Sequence, residues 1–237
     1  LDDKERAKLR ELPLMLNYSP EGENVGMATY FREYVRSWMA DWVKKNPKEN
    51  VEEGEREYYN IYRDGLRINV TIDSRMQRYA EEAVKEHISN LQKEFDKQEK
   101  SNKTTPFRNI TEDEVKWIIN KSIRSSARRM QMLSEGKTED EIKKSLDQKT
   151  EMRIYSWKGE KDTIMTPKDS ILYYKKFLRS GLMSMEPQTG HVKAWGGGIS
   201  YKHFQYDHVY HGARQVGSTF KPFVYATAID QLKLSPC

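Results

Sequence analysis

Ser218 and Lys221 stand three residues apart in "GARQVGSTFKPFVYATAID", residues 212–230. A serine hydroxyl becomes a nucleophile when a base within hydrogen-bond reach takes its proton. Lysine can be that base only if it is neutral. Its reference pKa is ~10.4, so neutrality near pH 7 requires roughly 4 kcal/mol of help. A helix N-terminus supplies about 0.3–1 kcal/mol, at most ~2. Desolvation and neighbouring groups must provide the rest, so the pair alone is not a complete catalyst. The chemistry that suits it is nucleophilic acyl transfer.

Pro222 supports this placement. Proline lacks an N–H and clashes with the carbonyl four residues back, so it fits only near a helix start. The helix is therefore expected to begin around Ser218 or Thr219, with Lys221 one turn on and on the same side. A plainer reading stands beside the catalytic one, because serine is a favoured N-cap. On "GSTFKP" alone the two are level. A second S-x-x-K, Ser134–Lys137 in "SEGK", contains a glycine and runs into the next helix start. It reads as a loop.

The elements that must hold the serine follow from pattern. Residues 1–25 read as a short charged helix and an irregular stretch. In "MATYFREYVRSWMADWVKKN", Phe31, Val35, Trp38, Met39 and Trp42 share one helical face. "LRINVTI", 66–72, alternates and is β-branched, which predicts a strand. The helix after it shows a stripe of Met76, Tyr79, Ala80, Ala83, Val84, Ile88 and Leu91. Thr111 with Glu114, and Thr138 with Glu141, are capping boxes. They open "EDEVKWIINKSIRSSARRMQMLSEG" and "EDEIKKSLDQ". "TEMRIYSW" predicts a strand. Thr166-Pro167 opens a helix through "KDSILYYKKFLRSG", with Gly181 as its C-cap. "GLMSMEPQTGHVKAWGGG", 181–198, predicts a hairpin beside the serine helix. The fold class is mixed α+β.

The 237 residues suffice for one large or two small domains. Charged residues make up 32% and mean hydropathy is −0.92, which favours exposed helices or an elongated shape. The net charge of +5 is spread along the chain without a basic block, which argues against nucleic acid as a partner. The lone cysteine, Cys237, can form neither an intrachain disulfide nor a multi-cysteine zinc site. No apolar run approaches a membrane span, and "LDDKERAKLR" lacks the apolar core of a signal peptide. His203, Asp207, His208 and His211 cluster in sequence. Imidazole and carboxylate are plausible zinc ligands, but the surrounding aromatics favour a packed strand or loop. No metal and no cofactor is expected.

"RQVGSTFKP" resembles the active-site serine motif R-Q-P-G-S-T-F-K-P of penicillin-binding proteins, whose S-x-x-K is shared with class A β-lactamases. The 181–198 hairpin resembles the opening of their transpeptidase domain. "GLRINVTIDSRMQRYAEEAV" and "ATYFREYVR" resemble stretches preceding that domain in the class A, bifunctional members. Residues 92–165 match less clearly and read as a helical insertion. Val216 replaces the motif's proline without removing a reacting group.

The resemblance implies a peptidoglycan synthase. Ser218 would attack the penultimate d-alanyl carbonyl of a stem peptide, with Lys221 as its base. An amine of a second stem peptide would resolve the acyl-enzyme, and β-lactams would be trapped on the same serine. It implies a periplasmic location, with the membrane anchor and the domain that takes a lipid-linked glycan precursor lying outside this sequence. The expected division is 1–65 linker, 66–180 strand–helix linker region with the insertion, and 181–237 the first part of the transpeptidase domain. The family's S-x-N and K-[ST]-G elements are absent; "RSG", 179–181, precedes the serine. The chain itself is therefore expected to be inactive. Two other readings remain: a non-catalytic scaffold that docks partners of wall synthesis, and a relative of β-lactamases or β-lactam sensors. The long region before the hairpin argues against the second.

Overall fold

The computed structural model describes residues 6, 10, 26–48, 57–102 and 105–235. Apart from Arg6 and Arg10, the reading of residues 1–25 lies outside this set, as does Cys237. Helix α1 (Thr29–Lys45) is followed by α2 (Ser74–Gln98). Three short helices come next: α3 (Glu112–Arg124), α4 (Ala127–Ser134) and α5 (Glu139–Asp147). An antiparallel hairpin, β1 (Thr150–Ser156) and β2 (Gly159–Met165), leads to α6 (Pro167–Lys175). A second hairpin pairs β3 (Leu182–Met185) with β4 (Val192–Gly196). A 3-10 turn (Gly217–Phe220) then leads into α7 (Lys221–Leu232). Among the described residues no helix is long and apolar enough to cross a membrane.

Caps set most helix starts. Asp73 accepts from the backbone N–H groups of Arg75 and Met76 at the head of α2. Both capping boxes close as their sequences require, Thr111 with Glu114 on α3 and Thr138 with Glu141 on α5. Thr166 caps α6, with Pro167 at its first position. The single helix expected after Thr111 is instead two. Ser126 turns extended and accepts from Arg129 N–H, capping α4 as a separate helix. Consecutive serines offer the backbone this local alternative to continuing a helix.

The core stripe of α2 differs from the expected one. Its buried residues are Gln77, Ala80, Val84, Ile88 and Gln92, while Met76, Tyr79 and Leu91 are exposed. Ala83 is exposed too. The reason lies on β4. Gln77, fully buried, donates from Nε2 to the Trp195 carbonyl at 2.9 Å and accepts from Trp195 N–H at 2.7 Å. Its amide thus satisfies both backbone groups of one strand residue. Gln92 repeats this farther along the helix. It donates to the Lys176 carbonyl at 3.1 Å and accepts from Leu178 N–H at 2.8 Å. Glu81 adds a third joint, accepting from Gln77 Nε2 and from Ala28 N–H, each at 2.7 Å.

The outer edge of β4 is therefore occupied by groups that are not strands. Lys193 O accepts from Asp73 N–H, Trp195 is paired with Gln77, and Gly197 O accepts from His208 N–H. This explains a second departure. Residues 66–72 do not form the expected strand; they form no ladder. The edge they would join is already taken by the start of α2.

Helix α1 buries Tyr30 and Met39, whereas Trp38, expected on its apolar face, is 53% exposed. Phe31 and Tyr34 instead stack against Trp195, with ring centroids 5.8 and 5.1 Å away. Tyr30 donates its hydroxyl to the Phe204 carbonyl at 2.5 Å, and burial pushes its phenol pKa up. Two glycines of "WGGG" make room for it. A Cβ on Gly197 would lie 2.7 Å from the Tyr30 ring and 2.5 Å from an Asp207 oxygen; one on Gly198 would lie 2.3 Å from the Tyr30 hydroxyl.

The strand β2 had no clear sequence signal, because its first residues, Gly-Glu-Lys-Asp, are polar and exposed. It is held by pairing with β1, including an Arg153–Asp162 ion pair at 2.8 Å. Tyr155 of β1 packs with Trp157, Phe177, His203 and Phe204. Burial pushes its phenol up to about 12. Helix α6 ends at Lys175, short of the expected Gly181. Gly181 is no C-cap but a point of close approach: a Cβ there would meet the His208 backbone at 3.0 Å.

Replacing Gln77 by alanine should destabilise the chain by about 2–4 kcal/mol, since two buried backbone groups lose their partners together. Urea unfolding would measure this; a change under about 0.5 kcal/mol would show that the amide pair contributes little.

Candidate active site

Gly217 adopts φ +51, a left-handed conformation that favours glycine, and turns the chain into the 3-10 segment. Ser218 and Thr219 lie in that turn, and the α-helical hydrogen-bond pattern starts only at Lys221, with Pro222 in its first turn. The start of α7 is thus about one turn later than Ser218. Neither the turn nor α7 has a side-chain cap; Thr219 donates back to the Val216 carbonyl at 2.5 Å. Ser218 therefore does not serve as the N-cap that the plainer reading required.

Ser218 and Lys221 are exposed, and no hydrogen bond joins their side chains. The structure brings them onto one short segment without a hydrogen bond between their side chains. Helix α7 buries no residue: Phe223, Val224, Tyr225, Ile229 and Leu232 are all exposed. The expected seat beside the 181–196 hairpin is not formed, although that hairpin itself is present. A two-stranded sheet has little surface to offer. Helix α2 takes one face, and Met183 and Met185 remain exposed on β3. A helix apolar on every side is built for burial, and here none of it is buried.

The histidine cluster divides among separate neighbours. His203 Nε2 lies 3.0 Å from Glu160 and its Nδ1 lies 3.4 Å from the Tyr174 hydroxyl. Tyr174 accepts from Tyr155 N–H, so its own O–H is free to donate to His203. Asp207 is buried and accepts from the Trp195 indole N–H at 2.9 Å and from Val209 N–H at 2.8 Å. His208 Nε2 is buried without a partner, and burial, then Arg179 and Arg214, push its pKa down. Among the described residues no group of three or more His, Cys, Asp or Glu side chains could hold a metal. The link that sequence reasoning missed is Glu160, on the unrecognised strand β2. It joins Lys202 at 2.5 Å and His203, tying the first hairpin to the turn that follows the second. The other S-x-x-K stays a local turn: Ser134 ends α4 and donates to the Gln131 carbonyl.

Comparison with known proteins gives matches over part of the chain. Residues 102–178 match the family model of the penicillin-binding protein middle domain. This stretch covers α3 to α6 and most of the region read from sequence as an insertion. The chain is also similar to penicillin-binding protein 1A of Pseudomonas aeruginosa, at 31% identity over 74 residues, 30% of this chain and 9% of that protein. It is 35% identical over 72 residues to the 1A protein of Neisseria flavescens (30% and 8%). With that of Escherichia coli K12 it shares 39% identity over 54 residues (23% and 6%). Over part of its length the chain is thus similar to penicillin-binding proteins 1A. The matched stretches span less than a tenth of these relatives' own length. No solved structure matches the chain.

Lys202 first, and His203 after it, hold the Glu160 carboxyl below its ordinary range. Its lowered pKa means that the contact adds stability above the ordinary carboxylate pKa. That contribution is lost as pH falls through the lowered value. Glu160→Gln should therefore lower the melting temperature near neutrality, with the difference from the wild type shrinking as pH falls through the acid limb. An acid limb identical to the wild type's would rule out this contact as a source of the pH dependence.

Proposed function

We propose that this chain is part of a peptidoglycan synthase and carries the nucleophile of a serine-type d-alanyl-d-alanine transpeptidase. The reading rests on one observation above others: "RQVGSTFKP" follows a hairpin and a middle-domain match in the order a penicillin-binding protein requires. Ser218 attacks the penultimate d-alanyl carbonyl, and Lys221 takes its proton. The terminal d-alanine leaves with a proton. The amine of a second stem peptide then attacks the ester, forming the crosslink and releasing the serine. β-Lactams acylate the same hydroxyl. The protein acts at the periplasmic face of the membrane, with stem peptides and a lipid-linked glycan precursor as its partners. The location and the partners are inferred from the relationship to the 1A proteins.

The absence of a hydrogen bond between Ser218 and Lys221 has a physical cause in this reading. A lysine base must be kept neutral by desolvation and neighbouring groups, and here Lys221 is exposed. Burial of α7 against a larger sheet would supply both the desolvation and a fixed approach.

Two measurements test the assignment. In a protein carrying this segment within a complete transpeptidase domain, Ser218→Ala should abolish labelling by fluorescent penicillin. Lys221→Ala should slow acylation about 10²–10⁴-fold. Wild-type labelling without Ser218 would overturn the nucleophile, and a wild type that takes no label would favour the scaffold reading.

The 237-residue chain alone should form no penicillin adduct by mass spectrometry. It contains no Ser-x-Asn triplet and no K-[ST]-G. The loss of one oxyanion donor alone costs ~10²–10³ in rate. A stoichiometric adduct on Ser218 would show that the segment is self-sufficient.

A further inference from the structure

An apolar cleft of about 520 Å³ lies between α1 and the extended run 66–72. Phe31, Val35 and Met39 line it from the helix, and Ile68, Val70 and Ile72 from the run. Ile68 and Val70 are about half exposed, at 47% and 50%. Among the described residues, no backbone N–H or C=O of residues 66–72 makes a backbone hydrogen bond. The run is anchored at its end only, by Thr71 Oγ1 to the Val192 carbonyl at 2.8 Å and by Asp73 N–H to Lys193 O. It combines strand-forming residues, an unpaired extended backbone and an uncovered apolar face, the features of an edge that takes another strand.

The sequence specifies which strand fits. Read antiparallel about Asn69, "LRINVTI" is complementary to itself. Leu66 falls opposite Ile72, Ile68 opposite Val70, Arg67 opposite Thr71, and Asn69 opposite Asn69. Ile68, Val70 and Ile72 line the cleft, and alternation with period two sets Leu66 on the same side of each strand in the pair. The one charge in the run meets a threonine rather than its own copy, so no like charges oppose each other. Two-fold pairing uses the same patch on each chain, which is the rule for closed dimers. It also sets the apolar rows of both copies side by side beneath their α1 helices, merging the two clefts into one covered layer.

We infer that residues 66–72 are a self-pairing edge through which two copies of this chain join, independently of Ser218. Light scattering on the full chain at tens of micromolar should give about twice the 28.0 kDa chain mass. Asn69→Pro, which removes a ladder donor at the centre, should raise the dimer dissociation constant at least tenfold. A cysteine scan fixes the register without relying on a destabilised variant. With Cys237→Ser as background, Asn69→Cys should oxidise to a disulfide dimer, because residue 69 faces its own copy across the two-fold. Arg67→Cys should not, since its copies lie four residues apart along the ladder. A monomer at every concentration would overturn the inference. So would a dimer that crosslinks equally well through both positions, or one that Asn69→Pro leaves intact.

Discussion

The outer edge of β4 is the constraint on which the rest of the structure depends. A two-stranded hairpin leaves each strand with one side unpaired, and backbone groups buried there must find partners. Here they find them in the first turns of α2: the Asp73 N–H at Lys193 and the Gln77 amide at Trp195. A glutamine amide supplies the acceptor and the donor that a strand residue would offer, and its second N–H is left for Glu81. It can therefore stand in for a third strand while belonging to a helix. Once this is fixed, other features follow. Trp195 is held where Phe31, Tyr34 and Asp207 meet it. The glycines after it let Tyr30 and Asp207 approach the backbone. Residues 66–72, displaced from that edge, are left extended beside a cleft.

Much of the local structure was legible because it depends on short-range chemistry. The capping boxes at Thr111 and Thr138, the Thr166-Pro167 start and the Pro-Gln-Thr-Gly turn of the second hairpin are set within a few residues. The failures have a common origin in long-range pairing. A hydrophobic stripe read from α2 picks Met76, Tyr79 and Leu91 and passes over Gln77 and Gln92, since buried glutamines look polar until their backbone partners are known. Strand β2 is too polar to be found without β1. The run 66–72 has every local mark of a strand and lacks only an edge to join. The break in the helix after Thr111 could have been found, because paired serines at 125 and 126 are a cap signal.

The serine motif shows the same division more sharply. Its local elements are all in place: a left-handed Gly217, Ser218 in a 3-10 turn and Pro222 in the first turn of α7. What is absent is environment. Lys221 is exposed and unbonded to the serine, and the apolar helix behind it touches no core. The residue types that carry a reaction can be read from nine letters of sequence. Their poise depends on packing that those letters do not encode.

The two buried glutamines have a mechanical consequence. Both ride on one uninterrupted helix, fifteen residues apart, which at 1.5 Å per residue is ~22 Å. One grips the second hairpin, and the other grips the segment leaving α6, at the end of the middle-domain match. The helix between them is a strut with a clamp at each end. A load applied at one clamp travels along the axis as compression or tension, with no hinge to absorb it. Tension on the middle-domain end would therefore reach the base of the serine-bearing segment as a displacement rather than dissipate as local bending.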